Sequence, residues 1–353
     1  MRGIRYLFIL SLIAGGIIYI IQEKLEPNHL LSNVDLKLRE LSFESKESYI
    51  DLNTSTEGEL FYWVDKSVHE LEKQFGLPNR KDLSSYGYEW WVYTDDPNRH
   101  IQFGVKNNQV VTIFATGDVL PIHPIEIGQP YEDIEQVLDI QKEVSFSNGD
   151  GSFRFNLSES DLKIRPLIQL EEEVFIQLYF DTFLNSLSSI RILRPEVLLA
   201  QRPYEIFYRG SLPEERVLTE NEWTKVEGGM EQQIFDITNV IRSRYEKATL
   251  DWDDAVATVA FGHSKDMSEK NYFSHYSPNG EGLKERLING EINYLSAGEN
   301  IAAQYTDGPA AVEGWLNSEG HRDALLKGEY THLGVGVYRY YYTQNFLQKH
   351  MEE

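Results

Sequence analysis

The stretch WLNSEGHRDALL, Trp315 to Leu326, sets an acid, a glycine, a histidine and an arginine in succession between two short apolar runs. Histidine titrates near neutrality and ligates metals through a neutral ring nitrogen, so its placement matters in a chain that has only nine. His321 reads either as an incidental part of a helix stop at Gly320 or as half of a site whose partners lie elsewhere. His275, in NYFSHYSPNG, stands in a turn, where packing does not force a histidine and a functional role is the better reading. Glu299 follows Gly298, read as a tight turn, and precedes the apolar pair Ile301 and Ala302. His263 falls in register with Val256, Val259, Ala260 and Met267 at helical spacing, so it reads as a buried, hydrogen-bonded core histidine.

Several chemistries are excluded or unsupported. The chain has no cysteine, which removes disulfides, thiolate zinc sites, cysteine nucleophiles and lipobox-type lipid attachment. It contains no H-E-x-x-H zinc motif and no evident oxyanion hole. Lys and Arg total 33 against 56 Asp and Glu, a net charge of −23. Such a surface repels nucleic-acid phosphates, and anionic lipid or wall polymer too unless divalent cations intervene.

The elements that must position these residues are legible in part. MEQQIFDITNVIRSRYEK carries Ile234, Ile237, Val240, Ile241 and Tyr245 on one helical face. A second helix holds His263, and a third contains Leu283, Arg286 and Leu287. Pro309 opens a helix running through Trp315 to Ser318, with Gly320 as its stop. Leu333, Val335 and Val337 alternate, then Tyr342 and Phe346 follow, a β-hairpin with glycines where another element comes close.

HSKDM, YFSHYSPNG, GENIA, WLNSEGHR, THLGVGVY and YYTQNF, in this order over 231–348, resemble the CAP superfamily of cysteine-rich secretory and pathogenesis-related (SCP-like) proteins. The resemblance implies an α-β-α sandwich whose central cleft is lined by two histidines and two glutamates. Carried over by motif, these are His275, His321 and Glu299. The fourth position, three residues after the tryptophan, is Ser318 rather than an acid. Glu319 is adjacent, but one residue turns a helical side chain by about 100°.

Three readings follow for that set. The imidazoles could bind Zn²⁺, with Glu299 as a third ligand or orienting a bound water. Glu299 and a histidine could activate Ser318 or Ser274, giving a metal-dependent or serine-type envelope hydrolase. The cluster could also merely fix the cleft walls. The expectation is a binding module, with Glu299 and Ser318 as the catalytic candidates of the alternative.

The remaining chain divides into four parts. In MRGIRYLFILSLIAGGIIYIIQEK an uncharged run of about 17 residues follows Arg2 and Arg5, near the lower limit for a spanning helix. It lacks a small-residue cleavage site, so 1–24 reads as an uncleaved anchor rather than a signal peptide, leaving the rest extracytoplasmic. Residues 25–56 read as a polar stalk. Residues 57–205 read as an α+β domain of two similar halves, each a helix followed by strands, with the KNNQ turn as hairpin chemistry. This region resembles the domain that often precedes CAP domains in spore-forming Gram-positive bacteria. Its Trp90-Trp91 pair reads as sheet core rather than a binding platform, and no catalytic grouping recurs there. Residues 206–229, ending in Gly228-Gly229, read as a second linker before the CAP domain at 230–353. The expected fold class is α+β, a separate α+β domain followed by the sandwich. The expected partners are cell-wall polymer, lipid or an envelope protein.

Overall fold

The computed structural model describes residues 58–349 apart from residues 150 and 172. The anchor and the stalk, residues 1–56, lie outside the described residues. Among the described residues no helix is long and apolar enough to cross a membrane.

The first domain opens with a 3-10 turn at Leu60–Trp63 and α1 (Val68–Phe75), which starts on a capping box between Ser67 and Glu70. Four strands follow: β1 (Arg80–Leu83), β2 (Glu89–Tyr93), β3 (Arg99–Lys106) and β4 (Gln109–Gly117). Asn107 and Asn108 join β3 to β4 with φ of 51° and 64°, the left-handed pair that a two-residue hairpin turn demands. Next come α2 (Tyr131–Val137), β5 (Glu143–Asn148), β6 (Gly151–Asn156) and α3 (Glu159–Ile164). Then follow β7 (Leu167–Glu171), β8 (Val174–Asp181), β9 (Ser186–Leu193), α4 (Pro195–Gln201) and β10 (Glu205–Arg209).

The main sheet has the order β1-β2-β3-β4-β9-β8-β7, antiparallel throughout. Its centre is the β4–β9 pair, so β2-β3-β4 and β7-β8-β9 are similar halves meeting edge to edge. A separate three-stranded sheet, β10-β6-β5, completes the domain. Trp90 and Trp91 are both buried, in core clusters on opposite faces of the sheet.

Residues 206–229 are not a linker. β10 pairs with β6, and α5 (Glu220–Arg244) begins on a Thr219–Glu222 capping box and runs straight through Gly228-Gly229. The reason is tertiary: a Cβ at Gly229 would stand 2.8 Å from the Asp82 Cβ, so glycine here permits a helix to lie close on the sheet.

The second domain adds β11 (Asp251–Trp252), α6 (Asp254–Glu269), α7 (Leu283–Asn289) and β12 (Ser296–Ala303). It ends with α8 (Gly308–Leu316), α9 (Glu319–Leu326), β13 (His332–Tyr338) and β14 (Tyr341–Gln348). Its sheet order is β11-β13-β14-β12. Leu333, Val335 and Val337 join the cluster that includes Ile234 and Ile237 of α5. The intervening Gly334 and Gly336 face α6, where an added Cβ would meet helix backbone at 2.2 and 1.9 Å. Period-two alternation thus sends apolar side chains to one helix layer and bare backbone to the other, giving an α-β-α sandwich.

The same core cluster takes in Trp90, Phe114 and Phe175 from the first domain and Met230, Trp315 and Phe346 from the second. Polar contacts reinforce that junction. Arg191 of β9 bonds Asp307 through two 2.7 Å contacts, Gln233 donates to Asp82 at 2.9 Å, and Glu313 accepts from Ser189 at 2.7 Å.

Candidate functional site: a histidine–glutamate cleft

Four elements of the second domain bring the predicted residues together. β12 carries Glu299, the turn after α6 carries His275, the α8–α9 break carries Ser318, and the first turn of α9 carries His321. Gly298 is not a turn residue. It sits in mid-strand opposite Phe346, and an added Cβ would lie 2.3 Å from the Tyr330 hydroxyl. Nor does Gly320 stop a helix: α8 ends at Leu316, Ser318 is the N-cap of α9, and Gly320 lies inside the first turn of α9.

The break is made by Asn317 and held from the first domain. The Asn317 amide donates to the Phe180 carbonyl at 2.8 Å, and its oxygen accepts from the Thr182 backbone N–H and hydroxyl at 2.8 and 2.7 Å. Arg322, next to His321, pairs with Asp181 at 2.9 Å.

Glu299 is the hub of the cleft. Its side chain is 4% exposed. His275 Nδ1 donates to Oε1 at 2.9 Å and Arg286 Nη2 donates to Oε2 at 2.6 Å. His263 Nε2 stands 4.0 Å from Oε1 and donates to the Ser274 carbonyl at 3.0 Å. On the facing wall His321 Nδ1 bonds the Ser318 hydroxyl at 2.8 Å, and Asn300 donates to the His321 carbonyl at 3.0 Å. The His275 and His321 rings lie 6.5 Å apart, centroid to centroid, inclined at 40°. Burial, and then the charge of His275, hold the His321 pKa below its ordinary value. Burial lowers His263 as well. Both shifts favour the neutral rings.

The sequence-predicted trio of His275, Glu299 and His321 is brought together, and Ser318 with it. Glu319 is exposed in the first turn of α9. His263 combines two roles, being buried in the core and facing Glu299. Arg286 is the residue that sequence reading passed over. A charge between Leu283 and Leu287 on the inward face of a short helix was the available signal.

This geometry limits what the cleft can do. Each imidazole is held through Nδ1, one by a carboxylate and one by a hydroxyl, which leaves Nε2 outside these bonds. A carboxylate behind a ligating histidine is a familiar support for a bound metal. Glu299 itself does not fit as a ligand, because Arg286 and His275 occupy its two oxygens. Among the described residues no group of three or more His, Cys, Asp or Glu is placed to hold a metal ion. The Ser318–His321 pair has the contact of a nucleophile and its base, but no carboxylate bonds His321 among the described residues.

Comparison with known proteins agrees with the architecture. The model of the CAP-associated N-terminal family matches residues 64–204, and that of the cysteine-rich secretory protein family matches residues 235–349. The chain is 43% identical over 346 residues to the Bacillus subtilis membrane protein YlbC, covering 98% of this chain and 99% of that one. The chain belongs to the CAP family. Its CAP domain is also 36% identical over 121 residues to Bacillus subtilis YkwD, covering 34% of this chain and 47% of the relative. Among solved structures, an extracellular SCP-domain protein from Bacillus anthracis is 43% identical with a TM-score of 0.79, covering 85% of this chain and 99% of its own. A cysteine-rich secretory protein from Staphylococcus aureus is 25% identical with a TM-score of 0.74, covering 83% and 94%. Both span the CAP-associated and CAP domains together.

Proposed function

We propose that this protein is a membrane-anchored, extracytoplasmic binding module of the cell envelope, whose CAP cleft holds a divalent cation such as Zn²⁺ between His275 and His321. The observation that carries the reading is the fixing of both rings through Nδ1, by Glu299 and by Ser318. Bound there, the cation would supply a Lewis-acid contact to an oxygen of the ligand. Arg286 would hold Glu299 off the ion as a support for His275. The names of two relatives, a membrane protein and an extracellular protein, support the location. A cation also answers the chain's charge of −23, because it can bridge an acidic protein to anionic wall polymer or lipid.

A serine-type hydrolase is the second reading, favoured by the 2.8 Å contact between Ser318 and His321. One set of variants separates the two. In titration calorimetry His275→Ala and His321→Ala should each weaken Zn²⁺ binding by on the order of 100-fold, and Glu299→Gln by about tenfold. Unchanged affinity in both histidine variants removes the metal. Turnover of peptidoglycan or peptide that vanishes in folded Ser318→Ala would establish the hydrolase instead.

A further inference from the structure

The two walls of the cleft are held in different ways. The His275 wall is fastened from within the second domain. Glu299 of β12 accepts from His275 and from Arg286 of α7, and Arg286 also donates to the His275 carbonyl at 3.2 Å. The His321 wall is α9, and its two ends are fastened by different domains. At its C-terminal end the buried Arg242 of α5 donates from Nη1 to the Leu325 and Lys327 carbonyls, at 2.7 and 3.0 Å. A cation at that end also suits the helix dipole.

At its N-terminal end the β8–β9 turn of the first domain does the holding. Asp181 pairs with Arg322, which in turn donates to the Leu316 carbonyl at the end of α8 at 3.0 Å. Asn317 is fixed by Phe180 and Thr182. Asp181 is buried and set in place before it meets Arg322, because it accepts from the Phe183 and Leu184 N–H groups at 2.9 and 3.3 Å and from the Tyr245 hydroxyl. Ser318 and His321 therefore lie between two first-domain attachments, at Asn317 and at Arg322.

The geometry makes α9 a short lever. Freed at its N-terminal end, it would pivot about the carbonyls that Arg242 holds, and His321 is at the end that swings. About 6 Å of helix axis separates His321 from Leu325, so a tilt of about 10° moves it by about 1 Å. A preorganised site tolerates roughly 0.5 Å. We propose that Asp181 and Thr182 are positioning residues for the cleft, setting His321 and Ser318 opposite His275, so that the first domain completes a site whose side chains all belong to the second. The placement of the ring is independent of what it binds, and only the affinity arm of the test rests on the cation reading.

The test uses the full chain labelled with ¹⁵N-histidine, first free of metal and then titrated with Zn²⁺. Asp181→Asn keeps the side-chain shape and removes the ion pair with Arg322, and Asn317→Ala removes the bonds to Phe180 and Thr182. In the metal-free spectra each should shift the His321 Nδ1 resonance, as its bond to Ser318 loosens, and leave that of His275 in place. Zn²⁺ affinity should then fall about tenfold in each. Thr182→Val, at an exposed residue, removes only the hydroxyl bond and should move His321 the same way by less, which keeps the test open if a larger change fails to fold. Gln233→Ala removes a different bond across the junction, to Asp82, and should leave His321 in place. The proposal is overturned if His321 is unmoved in every folded variant of the break, or moves as far in Gln233→Ala. A His321 shift in a chain that binds no Zn²⁺, wild type included, would remove the cation and uphold the positioning.

Discussion

Asp307→Ala should destabilise the protein by about 3–5 kcal/mol, because it strands a buried cation. Arg191 is fully buried in the first domain, and its guanidinium meets both Asp307 oxygens at 2.7 Å. Burial opposes the Arg191 charge, and Asp307, with the nearby Tyr179, more than offsets it, so its pKa is raised. Asp307 is also the N-cap of α8, accepting from Ala310 N–H at 3.1 Å, a contact worth about 1 kcal/mol more. The pair joins residues 116 apart in sequence and in different domains, so both should lose stability together. Scanning calorimetry should show the main transition lowered by on the order of 10 °C. Arg191→Met with Asp307→Leu should recover most of the loss, since an apolar pair of similar volume leaves no charge unpaired. A single Asp307→Ala within about 1 kcal/mol of wild type would show that the junction does not hold the domains.

Gly336→Ala should cost about 3 kcal/mol or more. The added methyl would lie 1.9 Å from the Phe261 nitrogen and 2.3 Å from the Ala260 carbonyl carbon, both backbone of α6. Side chains can rotate away from a clash, whereas a helix backbone can only move as a body. Lifting α6 from β13 also displaces His263 and with it the floor beneath Glu299. Urea denaturation should give a lowered midpoint at unchanged slope, with the histidine resonances of the cleft shifted. A midpoint equal to wild type would mean that α6 and β13 are not in direct backbone contact.

Both predictions depend on contacts that a linear reading reaches unequally. The alternation of Leu333, Val335 and Val337 with glycines announced a strand under a helix, and Asn107-Asn108 announced a hairpin, because both are local patterns. The trio of His275, Glu299 and His321 was legible only through the order of its motifs. Other features were set from afar. Gly228-Gly229 looked like a linker because the Asp82 that makes glycine useful there belongs to β1. The helix break fell at Asn317 rather than Gly320 because its partners, Phe180 and Thr182, are on the other domain. Arg286 went unread because the carboxylate it serves is 13 residues away on a different element.

The most direct test of the cleft is a Zn²⁺ titration of the full chain labelled with ¹⁵N-histidine, reading the ring nitrogens of all nine histidines. The account predicts that the Nε2 signals of His275 and His321 shift together and saturate at one ion per chain, while His263 keeps its proton on Nε2. Saturation without movement at either His275 or His321, or movement at only one of them, would contradict it.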